Sequence, residues 1–324
     1  MIDPLGRWAR YGEKPDYCGL LSFSGMPYTE DPAELAGADA AIVGAPMDDL
    51  VSDRPGARLA PRAIRGASCP PGPHLEAKVD AFAELRVLDY GDAPVIPADP
   101  ERSHAAVEAT VGEVLAAGAL PVVLGGDHSI SEPSIRACAG VHGPVGVVHF
   151  DTHTDTGAEV FGVERSHGTF VRRLVDAGHV DARRYAQIGL RGYWPGEQEF
   201  AWQAERGITS LFMHDVRDLG IREVLRRAIA AVGPGPVYLT VDVDVLDPGF
   251  IPGTGTPEPG GMTPSDLLLG VRTAAAELEL VGFDVVEVIP SGIGTADASA
   301  LVAERTVREA LTGVALRRRG AGRA

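Results

Sequence analysis

Residues 148–155 read Val-His-Phe-Asp-Thr-His-Thr-Asp, an apolar run that ends in an Asp-x-His-x-Asp pattern. Side chains at positions i, i+2 and i+4 of an extended strand point the same way, so Asp151, His153 and Asp155 share a face at the end of a strand. Two carboxylates and an imidazole that are buried side by side require a counter-charge. The simplest counter-charge is a divalent metal ion, so this stretch predicts a strand that ends at a metal site.

A second strand of this kind follows later in the chain. Residues 237–245 alternate apolar residues with aspartate, and Asp242 and Asp244 share a face. A half-exposed strand with polar residues facing water would show the same alternation. The Gly/Pro-rich loop at 247–264 and the α/β pattern, in which strands are usually covered on both faces, favour the metal interpretation.

A third strand end carries a histidine. Residues 120–124 are apolar, and the chain then breaks at Gly-Gly-Asp-His-Ser, residues 125–129. Glycines let the backbone bend sharply between a strand and a helix, and their spacing fits neither a dinucleotide-binding nor a P-loop pattern. His128 alone would be a weak signal. Beside two other ligand-bearing strand ends, it joins the candidate ligands.

The composition is that of an acidic globular chain. Its 324 residues are 45% hydrophobic, and its formal net charge is −16. It has no apolar run long enough to span a membrane and no signal-peptide core, which predicts a cytoplasmic protein without a membrane contact. Cys18, Cys69 and Cys138 are scattered and fit reduced thiols. The negative charge argues against nucleic-acid binding and suits a small cationic ligand.

Alternating strand and helix patterns predict a single α/β domain over residues 1–316. The strand candidates are 41–46, 86–91, 120–125, 145–151, 185–191, 208–213, 236–245 and 280–289. The main helical patterns are 100–117, 129–139, 218–231, 264–278 and 298–312. This alternation implies a parallel sheet with helices on both sides, and the length would also allow an eight-stranded barrel. The arginine-rich end, 317–324, is expected to be frayed and solvated.

The three strand ends together offer more ligands than one ion with an open site can use. The candidates are His128, Asp151, His153, Asp155, Asp242 and Asp244. Such a set suits two ions that share bridging carboxylates. Oxygen and imidazole donors without thiolate suit Mn²⁺, and Co²⁺, Ni²⁺ or Zn²⁺ could occupy the same site. His149 lies one step deeper in its strand, so we interpret it as a core histidine.

These motifs resemble the three metal motifs of the ureohydrolases, the arginase and agmatinase family. Residues 125–129, 151–155 and 240–248 match in the same order, the loop 252–261 matches the continuation of the third motif, and the resemblance covers residues 38–312. It implies a three-layer α/β/α sandwich with an eight-stranded, mainly parallel sheet. It also implies a dinuclear manganese centre that hydrolyses a guanidinium group to urea and an amine, in a trimer or hexamer.

The resemblance assigns roles to individual residues. One ion is expected on His128 and Asp155, the other on His153 and Asp244, and both on the bridging Asp151 and Asp242.

Two further positions match the family outside the metal motifs. His167, in Ser-His-Gly-Thr at 166–169, becomes a candidate for moving a proton or positioning the substrate. Glu287 lies in the apolar run 284–288, where a carboxylate can accept two parallel hydrogen bonds from a planar guanidinium. Asp155 is expected to relay the proton of the attacking water, with His167 assisting.

The substrate is less closely defined. Gly157 and Trp194 stand where arginases carry an Asn and an Asp that bind the α-carboxylate and α-amino groups, which argues against arginine. Ile289 replaces a residue that is commonly polar, and 290–294 lacks an aspartate often found there. Because this region lies near Glu287, an unusual substrate such as free guanidine stays open.

The loop 48–56 resembles that of agmatinases and guanidino-acid hydrolases. Asp49 and Asp53 in this loop could favour a terminal amine, and the ring of Trp194 would add a face for a cation. Agmatine, cleaved to putrescine and urea, is therefore the favoured substrate. Arg54 or Arg58 could instead meet a carboxylate, as in 4-guanidinobutanoate or 3-guanidinopropanoate.

Other classes of protein fit the sequence less well. A related single-zinc deacetylase would lack the Gly-Gly-Asp-His-Ser ligand. A binuclear phosphatase would share the ligand types, but the site has little positive charge for a phosphate. A non-catalytic homologous subunit usually loses ligands, whereas all six candidates are present.

Overall fold

The computed structural model describes residues 8–9, 12, 18–69, 71–291 and 297–321. Eight strands form one sheet: β1 (Ala40–Ala45), β2 (Val87–Asp92), β3 (Leu120–Gly125), β4 (Val145–Phe150), β5 (Val180–Leu190), β6 (Thr209–Phe212), β7 (Pro236–Asp242) and β8 (Glu279–Val286). The helices are α1 (Ala60–Ala67), α2 (Ala81–Glu84), α3 (Pro100–Ala116), α4 (Ser131–His142), α5 (Phe170–Asp176), α6 (Glu197–Arg206), α7 (Met213–Leu219), α8 (Ile221–Val232), α9 (Pro264–Glu277) and α10 (Ala298–Ala321).

The sheet is open and entirely parallel in its strand pairs. Its order is β2-β1-β3-β8-β7-β4-β5-β6, so β2 and β6 are edges and the strands do not close into a barrel. Helices α1, α10, α9 and α8 pack side by side on one face, and α3, α4 and α5 pack on the other. The predicted three-layer α/β/α sandwich is therefore confirmed.

The central strands are hydrophobic because both of their faces are covered. Every residue of β1 and β4 is buried, and valine, isoleucine and phenylalanine alternate between the two apolar layers. On β4, Val147 packs toward the α3–α5 side, whereas Val148 and Phe150 pack toward the α8–α10 side. This period-2 division of buried side chains is what a parallel sheet between two helical layers requires.

The strand order brings distant parts of the chain to one edge of the sheet. Strands β3, β8, β7 and β4 are consecutive neighbours at its centre. Because they are parallel, their carboxyl ends meet at the same edge, and ligands bind in the crevice outside such ends. The residues that follow these four strands are therefore the ones that can build a common site.

The arginine-rich end corrects one expectation. Helix α10 continues to Ala321, so residues 317–321 are helical and not frayed. Arg318 pairs with Asp39 at 2.6 Å, and Arg319 pairs with Glu84 at 2.5 Å, which ties the last turns to the loop before β1 and to α2. Residues 322–324 lie outside the described residues. None of the described helices combines the length and apolar character needed to cross a membrane.

Candidate metal centre

The turn after β3 is shaped by glycine. A Cβ on Gly126 would lie only 1.9 Å from the carbonyl oxygen of Met47, so the two backbone segments could not pass each other with any other residue there. The buried Asp127 then caps the following turn, accepting the Ser129 N–H at 2.9 Å, and also accepts the Leu50 N–H at 3.2 Å. These contacts aim His128 at the ends of β4 and β7.

Three carboxylates surround one nitrogen of His128. Its Nδ1 lies 3.1 Å from an oxygen of Asp151, 3.1 Å from one of Asp155 and 3.2 Å from one of Asp242. All four side chains are buried. The other ring nitrogen, Nε2, lies 2.9 Å from Thr240 Oγ1, which fixes the ring with Nδ1 toward the carboxylates.

A second group forms beside the first and shares Asp151 with it. His153 Nδ1 lies 3.0 Å from Asp244 Oδ2 and 3.6 Å from Asp151 Oδ1. The two oxygens of Asp151 therefore point to different groups, which allows this carboxylate to bridge them. Asp242 reaches the first group through Oδ2, while its Oδ1 accepts the backbone N–H of Asp244 at 2.8 Å.

His149 is buried, but it contacts the site. Its Nε2 lies 2.8 Å from Asp151 Oδ2, and its Nδ1 lies 3.1 Å from the hydroxyl of Tyr185. Its ligand atom falls within one compact group with those of His128, Asp151 and Asp155. The sequence interpretation as a core histidine described its depth and missed its contact with the bridging carboxylate.

The site holds more negative charge than its histidines can balance. Four buried carboxylates face three imidazoles, those of His128, His149 and His153, so one negative charge would remain even with every ring protonated. Burial raises the pKa of Asp244 to about 6 and holds that of Asp242 well above its usual range. Burial alone would lower the pKa of His128, but its carboxylate partners outweigh burial and hold that pKa well above its usual value. These pKa shifts indicate that the site has an excess of negative charge, which a bound cation would balance.

These residues fit a pair of divalent cations. The buried Nδ1 of His128 has no hydrogen-bond partner by geometric criteria among the described residues, although three carboxylate oxygens lie around it. The donors are imidazole nitrogens and carboxylate oxygens without thiolates, a set suited to Mn²⁺ and similar ions. Asp151 links the two groups, which is the arrangement of a dinuclear centre.

Glu287 stands next to this centre at the end of β8. It is fully buried, and its backbone adopts a positive φ of 62°, a strained conformation for a non-glycine residue. Its Oε1 accepts the His128 N–H at 2.9 Å and lies 2.8 Å from His167 Nδ1. Its Oε2 is buried and has no hydrogen-bond partner among the described residues. A buried carboxylate oxygen left free in this way is suited to accept from a cationic ligand.

His167 is held between Glu287 and the loop that contains Ser52. Its Nδ1 contacts Glu287, and its Nε2 lies 2.7 Å from Ser52 Oγ. Burial opposes protonation of the ring, but the adjacent Glu287 carboxylate outweighs it and raises the pKa of His167 to about 9. The ring can therefore carry a proton near neutral pH.

A cavity of about 350 Å³ is bordered by His167 and by residues of both candidate metal groups. Its lining residues are Ser52, His153, Asp155, Glu159, Val160, Phe161, His167, Gly168, Trp194, Asp242 and Thr256. The ring of Trp194 packs across Gly157, where an added Cβ would lie 3.3 Å from the ring and 3.0 Å from the Gly168 carbonyl oxygen. Trp194, predicted to contact the substrate, is thus placed in the cavity wall.

The predicted selector residues of the 48–56 loop lie outside this lining. Asp49 pairs with Arg58 at 3.1 Å, and Arg58 also pairs with the buried Asp48. Asp53 is 62% exposed and lies 3.7 Å from Arg54, which is 60% exposed. Arg58 engages Asp49 and solvent surrounds Asp53, so a contact of these acids with the substrate stays a prediction. Ile289 packs against Gly56 of the same loop, and residues 292–294 lie outside the described residues.

Two residues of the site were not predicted from the sequence. Ser52 contacts His167 and lines the cavity, and Glu159 brings a carboxylate to the cavity from the loop after the Asp-x-His-x-Asp motif. The sequence offered a weak signal for Glu159, which lies four residues after Asp155. For Ser52 it offered none, because the two residues in contact are separated by 115 positions.

Comparison with known proteins agrees with this geometry. The arginase family model matches residues 38–313. Guanidinopropionase of Pseudomonas aeruginosa is 42% identical over 285 residues, which are 86% of this chain and 86% of that protein. The mitochondrial agmatinase of Gallus gallus is 40% identical over 257 residues, which are 78% of this chain and 75% of that protein.

A solved structure has the same fold over nearly the whole chain. Proclavaminate amidino hydrolase from Streptomyces clavuligerus superposes with a TM-score of 0.87 and 33% identity, over 94% of this chain and 100% of that one. A matching family model, relatives at this level of identity and a shared fold leave no other assignment. The chain belongs to the arginase family and is one of its amidinohydrolases, as its metal motifs indicated.

Proposed function

We propose that this chain hydrolyses the guanidinium group of a small cationic substrate to urea and an amine, with agmatine as the substrate. The observation that carries the proposal is the free Oε2 of Glu287, buried beside the candidate metal centre. A planar guanidinium suits this oxygen, because two of its N–H groups can donate to the two lone pairs of a negatively charged Oε2.

The candidate ligands would hold two divalent cations, and Mn²⁺ suits their chemistry. When bound, such cations supply Lewis acidity that activates water and stabilises developing negative charge. The chain's own groups do the remaining work. Glu287 orients the guanidinium, Asp155 accepts a proton from the attacking water, and His167 donates a proton to the departing amine. The pKa of His167, raised to about 9 chiefly by Glu287 against the effect of burial, supports its role as the acid.

The charge of the cavity supports a substrate with a cationic tail. Its lining contains three carboxylates, Asp155, Asp242 and Glu159, and no lysine or arginine among the described residues. Only Glu159 belongs to neither candidate metal group, so its charge is available to the substrate. The Trp194 ring adds a face for a cation, worth about 0.5–2 kcal/mol in general.

A guanidino acid is the competing substrate. It is favoured by the 42% identity to a relative named guanidinopropionase. A carboxylate tail would need a cation at the cavity, however, and Arg58 is engaged by Asp48 and Asp49. Arg54 is 60% exposed and lies beside Asp53. Free guanidine would engage Glu287 and leave Glu159 without a partner.

Urea release separates these substrates. We expect kcat/KM to be higher for agmatine than for 4-guanidinobutanoate, 3-guanidinopropanoate, arginine or guanidine. Glu159→Gln should lower the ratio of agmatine to 4-guanidinobutanoate by about two- to fivefold, the usual range for one partly exposed charge pair. Asp53→Asn is the matched control and should leave the ratio unchanged. A higher kcat/KM for either guanidino acid would contradict the agmatine proposal, and no urea from any of the compounds would indicate a non-catalytic subunit.

We infer in addition that the chain works as a cytoplasmic homo-oligomer, a trimer or a hexamer. Large apolar side chains are exposed on the single chain, among them Leu75, Phe161 and Tyr193, and a partner copy would cover such surface. The free thiols of Cys18, Cys69 and Cys138 suit a reducing compartment. Light scattering at micromolar concentration tests the assembly, and a monomer would contradict it.

A further inference from the structure

One ring nitrogen of His167 is contacted by two hydrogen-bonding groups of the same residue, Ser52. The backbone nitrogen of Ser52 lies 3.0 Å from His167 Nε2, and Ser52 Oγ lies 2.7 Å from it. The opposite nitrogen, Nδ1, lies 2.8 Å from Glu287 Oε1. A ring nitrogen of histidine can either accept one hydrogen bond through its lone pair or donate one through its proton. Ser52 therefore offers two hydrogen-bonding groups, whereas Nε2 can use only one of them in any single protonation state.

The two contacts suit different states of the ring. A neutral Nε2 can accept from the Ser52 N–H, which cannot act as an acceptor. A protonated Nε2 can donate to Ser52 Oγ, which has lone pairs. Glu287 Oε1 accepts from Nδ1 in both cases. Together these partners fix Nδ1 as the nitrogen that keeps its proton and Nε2 as the nitrogen that gains and loses one.

We propose that Ser52 is a positioning residue that holds His167 in one orientation in both of its protonation states, through its hydroxyl when Nε2 is protonated and through its backbone N–H when Nε2 is neutral. This inference rests on the proposed function, in which His167 moves a proton. A ring bound equally well before and after the transfer need not turn, so no reorientation delays the next cycle.

The surrounding backbone keeps Ser52 in place. The carbonyl oxygen of Leu50 accepts the His167 N–H at 3.2 Å and the Ser166 hydroxyl at 3.1 Å. The Leu50 N–H donates to the buried Asp127 at 3.2 Å. The loop that carries Ser52 is thus joined to the turn that carries His167 and to the turn before α4. A loop anchored by three hydrogen bonds to two turns is a built feature of the fold.

The charged groups that face His167 act in the same direction. They are Glu287, Asp155 and Asp127, and all three carboxylates favour the protonated ring, whereas burial opposes it. Ser52 is neutral and adds an acceptor for that same state. Removing the hydroxyl should therefore lower the pH at which His167 titrates, because the imidazolium loses its Nε2 partner and the neutral ring keeps the backbone N–H.

The test compares Ser52→Ala with Ser52→Thr. Ala removes the hydroxyl and keeps the N–H, and Thr keeps both. In protein labelled with ¹⁵N-histidine and loaded with diamagnetic Zn²⁺, the titration of His167 is followed by NMR, with its signal assigned from His167→Gln. We expect Ala to lower the midpoint by about half a unit to one unit, the equivalent of one hydrogen bond, and Thr to restore it. The alkaline side of the kcat profile of the Mn²⁺-loaded enzyme should shift in the same direction.

The wild-type spectrum is an independent check, because it does not require a variant to fold. Neutral His167 should carry its proton on Nδ1. A neutral ring protonated on Nε2, or a midpoint unchanged in a folded Ser52→Ala protein, would overturn the proposal. The tautomer and the NMR midpoint are both measured without substrate. The Ser52 proposal can therefore be refuted while the protein still releases urea. It can also be supported while the agmatine proposal is refuted.

Discussion

Replacing Glu287 with glutamine is expected to abolish most of the activity and leave the candidate metal ligands in place. The carboxylate has two distinct oxygens: Oε1 accepts from the His128 N–H and from His167, and Oε2 is buried and free. An amide can present its oxygen to only one of these positions. If the oxygen keeps the His128 contact, the amide NH₂ group faces the N–H donors of the guanidinium, and if it turns, the His128 N–H loses its acceptor.

The size of the effect follows from this geometry. A net hydrogen bond to a charged group is worth about 1.5–3 kcal/mol, against about 0.5–1.5 kcal/mol for a neutral pair. Losing the charge from a contact in which Oε2 accepts two N–H groups should therefore cost about 2–3 kcal/mol in the transition state. That corresponds to a loss in kcat/KM on the order of 10²-fold.

The assay combines urea release with metal analysis of the same sample. Glu309→Gln is a suitable control, because Glu309 is also a buried glutamate of this chain but pairs with His74 and Arg272 outside the cavity lining. It should keep full activity. Loss of bound metal from Glu287→Gln would show that Glu287 is a metal ligand, and a loss of activity below tenfold would refute the charged contact between Oε2 and the guanidinium.

Three other outcomes are expected. Metal analysis of the Mn²⁺-reconstituted protein should give about two ions per chain, and Asp151→Ala should reduce this below one because both groups share Asp151. Arg65→Ala should destabilise the fold by about 3–5 kcal/mol in urea unfolding, because buried Arg65 makes two contacts with buried Asp89 at 2.8 and 2.9 Å. Burial lowers the pKa of His104 to about 3, so unfolding takes up a proton below pH 6.5. The free energy of unfolding should therefore fall as the pH drops toward 3, by up to about 1.4 kcal/mol per pH unit. His104→Gln should remove this part of the pH dependence between pH 7 and pH 5. One ion per chain in both the wild-type and the Asp151→Ala protein would contradict the first expectation. A small change in the free energy of unfolding of Arg65→Ala would contradict the second, and an equal pH dependence of stability in wild type and His104→Gln would contradict the third.

The strands and the metal motifs were predictable from the sequence because both are local patterns. Residues 120–125 were identified as a strand with the bounds that β3 has, since a run buried on both faces is hydrophobic throughout. Strand β5 was predicted to begin at 185, but it begins at Val180. The prediction missed its first five residues because they alternate buried and exposed positions and do not form an apolar run. The frayed end was wrong for a different reason. Arg318 and Arg319 find their partners at residues far away in the sequence.

The substrate end of the site depended on contacts that no local pattern encodes. Asp49 and Asp53 had the right charge and lay in the right loop, but the guanidinium of Arg58 engages Asp49 and solvent surrounds Asp53. Glu159 brings its carboxylate to the cavity instead. Charge alone therefore did not identify the carboxylate that lines the cavity, because a surface carboxylate is directed by its nearest partner.

By itself the sequence determined the family, the fold class and the candidate ligands, because the pleat of a strand sets the spacing of Asp151, His153 and Asp155 on one face. Only the tertiary structure decided which of the two oxygens of Asp151 faces which histidine, and which residue holds His167. Those distances depend on the order of the strands in the sheet, which places β3, β8, β7 and β4 side by side. Residues 115 positions apart meet there through packing of the whole domain, and no short-range rule of backbone geometry reaches that far.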